Sequence, residues 1–246
     1  MQKFESLKGR ALFFICLAWL LWFLNFTSRT AFAPILPLLE DEFGVTHARA
    51  AAIFTCVSFG YGLSLFFSGV FATFLGFRKS VAVSVAVSAV LFSLFSLIKV
   101  FEVFYILGFA LGVAVGIYLP SMLSLLTDYY DEGVWGRVIS IHDSGASIST
   151  TAAPFLVLFF LSFLPWRGIF IILGIASVLC AVVFFFASHE VVMPGRRSYF
   201  LGSLLKNKSL CIIAVLFVFA GGSSLGLYFI TPLYRVLPVS VRDKIC

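Results

Sequence analysis

The chain has 246 residues, of which 61% are hydrophobic and 11% charged, with a mean hydropathy of +1.10 and a net charge of +6. A soluble domain carries about 25% charged residues, so this composition excludes a soluble globular protein and points to a polytopic membrane protein. The positive charge calls for no polyanion: the basic residues sit in short connections between apolar runs, the positive-inside pattern, and no nucleic-acid partner is expected.

The N-terminus imitates a signal peptide, with Lys3, Lys8 and Arg10 before an apolar run and Ala31-Phe32-Ala33 as a cleavage-like site. The run exceeds the usual h-region of about 7–15 residues, and more such runs follow, so it reads as an uncleaved first span. Within it stand Asn25 and Arg29, one helical turn apart and on one face, with Trp22 and Phe32 flanking. A charge at membrane depth costs about 2.5–3.5 kcal/mol on insertion scales. A chain that keeps one is expected to have built a polar interior around it, here the wall of a solute pathway.

Seven helical spans are predicted, at 11–36, 48–75, 80–98, 103–126, 138–164, 167–187 and 209–231, each near the roughly 20 residues needed to cross a bilayer. Lipid leaves backbone groups no partner outside a helix or a closed barrel. The runs are too long and too continuously apolar for barrel strands. The fold class is therefore an all-α polytopic transmembrane bundle. Three regions are predicted: a six-helix bundle at 1–187, a cytoplasmic connection at 188–208 containing Pro194-Gly195-Arg196-Arg197, and a seventh span with its tail at 209–246. Ten Lys and Arg fall on the side of the N-terminus and three on the other, which places the N-terminus in the cytoplasm of a cell-membrane protein.

The five cysteines, at 16, 56, 180, 211 and 246, show neither metal-ligand nor redox spacing. Neither a metal nor a cofactor is expected. A faint internal repeat joins Phe74-Leu75-Gly76-Phe77-Arg78-Lys79 to Phe163-Leu164-Pro165-Trp166-Arg167-Gly168, and Pro37 to Pro120. The two arginine turns fall on opposite membrane faces, as three-plus-three inverted repeats require.

The connection Gly69-Val70-Phe71-Ala72-Thr73-Phe74-Leu75-Gly76-Phe77-Arg78-Lys79 resembles the signature loop of the major facilitator superfamily. Gly69, Ala72, Gly76, Arg78 and Lys79 match it, and Thr73 stands where the family usually has an aspartate. The fourth span, with Gly108, Gly112 and Gly116 ahead of Pro120, resembles the family's glycine-rich fourth helix, Gly108 replacing a frequent arginine. Trp135-Gly136-Arg137, Trp166-Arg167 and the run from Phe219 through Pro232-Leu233-Tyr234 also fit. The resemblance covers residues 10–234. It implies a secondary transporter, two six-helix bundles around a cavity, working by alternating access on a small solute with a coupling ion.

Members have two such halves, whereas this chain stops just after a seventh span. Its ending, Arg235 to Cys246, does not resemble the family's continuation, so a truncated or frame-shifted product is expected, needing a C-terminal half or a second copy. Rival readings are an inactive fragment and a non-transporting membrane sensor or assembly partner.

The resemblance puts spans one, two, four and five on the cavity. Asn25, Tyr61, Tyr118, Ser149 and Thr150 lie near their middles and could bind solute, or equally bond across helices. Arg29 could pair with an anionic solute or snorkel to the interface. No acidic residue stands at mid-depth in another span. His142 and Asp143 near the start of span five could relay protons or form a satisfied polar pair. The glycine stripe suits close packing, and Arg78-Lys79 both topology anchor and gate. No enzyme is expected: the three histidines are scattered, and no nucleophile elbow, zinc-protease or phosphate-loop motif occurs.

Overall fold

Three of the long apolar runs carry a proline that the spacing alone places inside a helix, and two of those helices are broken close to it. The computed structural model describes residues 3–190; residues 191–208 of the predicted connection, the seventh span at 209–231 and the tail lie outside them. The described helices all belong to the unit Met1–Met193.

The first span is α1 (Arg10–Thr30) followed by α2 (Phe32–Phe43), interrupted at Ala31. Pro34 stands three residues on, and its ring nitrogen brings no N–H to the Thr30 carbonyl. The fourth span breaks in the same way, into α5 (Val103–Gly116) and α6 (Tyr118–Tyr129), with Ile117 between them and Pro120 three residues on. By position the counterpart of Pro120 is Pro34. Pro37, the partner suggested by the sequence, sits inside α2 without ending it.

The remaining spans are α3 (His47–Leu75), α4 (Phe77–Ser96), α7 (Trp135–Leu161) after a 3-10 turn at Glu132–Val134, and α8 (Trp166–Ala187). Six spans among the described residues are long and apolar enough to cross a membrane, in agreement with the predicted all-α bundle. Glycine sets two of the connections. Gly44 closes α2 at φ 61°, and Gly76 turns α3 into α4 at φ 82°, both in the region that L side chains avoid.

Three pairings hold the bundle: α1 along α7, α3 along α5, and α4 along α8. The α3–α5 seam depends on missing side chains. A Cβ on Gly112 would lie 2.1 Å from the Val57 carbonyl oxygen, one on Gly60 2.2 Å from that of Phe109, and one on Gly116 2.8 Å from that of Tyr61. The stripe of glycines on the fourth span thus brings two backbones together, as small residues do between membrane helices. A second packed region joins Phe14, Leu21 and Trp22 of α1 to Tyr118, Met122 and Leu125 of α6, with Val138 of α7 and Phe184 of α8.

Polar contacts tie the connections together at each end. At one end, the Phe4 N–H donates to Tyr129 O at 2.8 Å and the Asp131 N–H to Phe4 O at 3.0 Å. There the Tyr129 hydroxyl donates to His189 O at 2.6 Å, and Arg78 reaches Ser188 Oγ at 3.1 Å and the Phe185 carbonyl. At the other end, Arg167 forks onto the two Glu42 oxygens at 2.6 and 3.0 Å, Trp166 Nε1 donates to the same carboxylate at 2.6 Å, and Arg49 pairs with Glu102 at 2.7 Å.

Candidate functional site

Asn25, Phe26 and Arg29 fall within one turn of α1, just before the break at Ala31. Of these, the Arg29 side chain reaches Tyr61 of α3. The Arg29 guanidinium carbon lies 4.1 Å from the Phe26 ring centroid and 4.5 Å from that of Tyr61, and Arg29 Nη2 donates to Asn25 Oδ1 at 3.5 Å. A cation over an aromatic face gains about 0.5–1 kcal/mol where exposed and about 2 kcal/mol where desolvated, and the half-buried Arg29 falls between these limits.

The other end of the Asn25 amide is also engaged. Its Nδ2 donates to the Val115 carbonyl at 3.1 Å, and the Ser84 hydroxyl donates to the neighbouring Ala114 carbonyl at 2.7 Å. Both carbonyls belong to the last turn of α5, where the helix ends and acceptors lose their usual partners. Asn25 therefore bridges the arginine and the broken fourth span.

The structure gathers three of the six predicted solute residues, Asn25, Arg29 and Tyr61, and places the other three apart. Tyr118 is fully buried, donates to Ala18 O at 3.0 Å, and stacks on Trp22 at 5.4 Å. Ser149 is buried with its Oγ 2.9 Å from Thr27 Oγ1, joining α7 to α1. Thr150 donates to Ala146 O of its own helix at 2.9 Å. Phe26 carried no signal in the sequence beyond standing three residues before Arg29.

His142 is fully buried, whereas the Asp143 side chain is 57% exposed. His142 Nδ1 lies 3.2 Å from Asp143 Oδ1 and Nε2 lies 3.4 Å from the Tyr118 hydroxyl. The imidazole thus links the buried Tyr118 hydroxyl to the exposed Asp143 carboxylate.

The predicted gate loop lies at the end tied by Arg78. Gly69 and Lys79 are exposed, Ala72 is buried, and Thr73 is exposed with its hydroxyl on Val70 O of the same helix at 2.7 Å. Besides its hydrogen bonds, the Arg78 guanidinium lies 4.3 Å from the Phe185 ring centroid. The Glu190 carboxylate stands against Gly76, where a Cβ would be 2.2 Å from Oε1. An acidic group is thus present at this loop although Thr73 is not one.

The sequence profile of the Major Facilitator Superfamily matches residues 18–240. The chain belongs to that superfamily. Among curated relatives it is similar to the 4-hydroxybenzoate transporter PcaK of Pseudomonas aeruginosa, 24% identical over 180 residues, covering 72% of this chain and 39% of the relative. It is also similar to the probable sulfoacetate transporter SauU of Cupriavidus necator, 24% identical over 159 residues, covering 65% and 37%. The benzoate transport protein of Acinetobacter baylyi is 28% identical over 152 residues, covering 58% and 32%. The chain thus spans less than two fifths of the length of these superfamily relatives in each match. Six apolar helices and superfamily membership make it a multi-pass membrane protein.

Proposed function

We propose that this chain serves secondary active transport of a small organic anion across the cell membrane, with Arg29 as the counter-charge. The observation that carries the reading is the guanidinium held inside a six-span bundle by Asn25, Phe26 and Tyr61. A planar cation positioned by other side chains suits a carboxylate or sulfonate. The three relatives are named for 4-hydroxybenzoate, sulfoacetate and benzoate, all anions at neutral pH. Asn25 and Tyr61 stand beside the cation as first candidates to touch solute, and Tyr118, Ser149 and Thr150 belong to the cavity-lining spans expected of the superfamily.

The paired bundle that alternating access requires comes from a further half or a second copy, and the two rock about the bound solute. The imidazole of His142, 3.2 Å from the Asp143 carboxylate, supports a proton as the coupling ion. Gly69, Ala72, Gly76, Arg78 and Lys79 form the gate loop, with Arg78 holding the end of α8. Lys3, Lys8, Arg10, Arg78, Lys79 and Arg137 share one end against Arg49, Lys99 and Arg167 at the other, which supports a cytoplasmic N-terminus.

The test is uptake of radiolabelled benzoate, 4-hydroxybenzoate and sulfoacetate by proteoliposomes holding the purified chain, under an imposed proton gradient. The expected result is uptake of at least one, abolished by Arg29→Ala and reduced about tenfold by Arg29→Lys, which loses the planar fork. No uptake of any of them overturns the transport reading. Uptake unchanged in Arg29→Ala overturns the role of the arginine alone.

A further inference from the structure

Behind Asn25, between α1, α4, α5 and α8, lies a cavity of about 20 Å³ whose polar wall is Asn25, Ser28, Ser84, Ser88 and Ser177. The protons of this wall are largely committed. Ser28 donates to Asn25 O at 2.5 Å, Ser84 to Ala114 O at 2.7 Å, Ser88 to Ser84 O at 2.8 Å, and the Asn25 amide to Val115 O at 3.1 Å. These hydroxyls therefore turn lone pairs toward the cavity. Ser177 differs: it is 97% buried, given a relative exposure of 3%, and its hydroxyl makes no hydrogen bond to any described residue.

The occupant must give protons to several lone pairs and accept one from Ser177. Water does both, with two donors and two acceptor sites, and a buried water needs two to four polar partners and at least about 10–15 Å³. The cavity has room for one. An alkali cation would also satisfy lone pairs, but no carboxylate lines this wall, and the Arg29 guanidinium stands one hydrogen bond away through Asn25 Oδ1. We infer that this cavity is a hydration site whose single ordered water bridges Ser177 of α8 to the serines of α4 and to α1 behind Asn25. The water completes the polar layer that supports the Arg29 turn, and its existence does not depend on what the chain transports.

Radiolytic hydroxyl labelling read by mass spectrometry tests this directly on the chain in lipid nanodiscs. Phe92 also lines the cavity and is 1% exposed, so radicals from bulk water do not reach it. Protein equilibrated in oxygen-18 water and diluted into ordinary water just before exposure is expected to carry the heavy isotope on Phe92, while exposed Phe163 carries the light one. Ser177→Val fills the cavity and brings Phe92 labelling to background. Ser177→Ala leaves room for water and retains it. An unlabelled Phe92 in the wild-type protein overturns the site whatever the variants do. Labelling equal in Ser177→Val also overturns it, and loss of labelling in sodium chloride but not choline chloride assigns the cavity to a cation instead.

Discussion

The amide of Asn25 has two ends, and each holds something different: Oδ1 takes the Arg29 guanidinium and Nδ2 takes the carbonyl of Val115. Asn25→Leu removes both links, and uptake is expected to fall about tenfold or more with normal membrane insertion, measured by transport against surface expression. Asn25→Asp should be worse for affinity than for maximal rate. Its carboxylate would attract the guanidinium by about 4 kcal/mol at 4 Å in an effective dielectric of 20 and compete with any anionic solute, so KM rises most. The pair of polar residues one turn apart was legible because Asn25 and Arg29 are conspicuous in hydrocarbon. Phe26 was not, since one phenylalanine among 31 carries no mark of its role. Ser84 and Ser177 were invisible for another reason: a small hydroxyl suits a lipid-facing or a buried position, and only the packing partner tells which.

At the scale of elements, the seam between α3 and α5 makes a sharp comparison. Gly112→Ala would drive a methyl into the Val57 carbonyl, 2.1 Å away, whereas Gly62→Ala on α3 meets nothing within 4 Å. Overpacking of this kind costs about 1–3 kcal/mol, so the Gly112 variant should lower the melting temperature in detergent while the Gly62 variant leaves it or raises it. The spacing of Gly108, Gly112 and Gly116 announced this contact, because a four-residue stripe keeps one helical face bare. The breaks at Ala31 and Ile117 were less legible. A proline inside an apolar run says that an N–H is missing; whether the helix kinks, stops or continues depends on neighbours, and Pro37 and Pro154 both sit within unbroken helices.

Across the whole unit, the two ends are fastened differently. One uses bidentate and single ion pairs, Glu42 with Arg167 and Arg49 with Glu102. The other uses a ring stack, Tyr129 on His189 at 4.1 Å, with Arg78 nearby. Partial burial, and then the Arg78 charge, hold the His189 imidazole below its ordinary value of 6.5. A depressed pKa means the folded end prefers the neutral ring, so its contribution is whole above pH 6.5 and is lost as the pH falls through the lowered value. The melting temperature should therefore drop on acidification more in the wild-type protein than in His189→Asn, as a pH series of thermal melts would show. Six spans and their order were readable from hydropathy because lipid forces the backbone into helices. The fastening of the ends was not, since it joins residues 53 to 125 positions apart.

That distance also sets an order of events during synthesis. Phe4 exchanges backbone hydrogen bonds with Tyr129 and Asp131, so residues made early wait for a strand-like partner that emerges only after four spans have been threaded into the bilayer. At about 5–20 residues per second, the interval is on the order of ten seconds. Throughout it the segment around Phe4 stays open to chaperones, proteases and the translocon, and its docking marks the moment when the fourth span is in place.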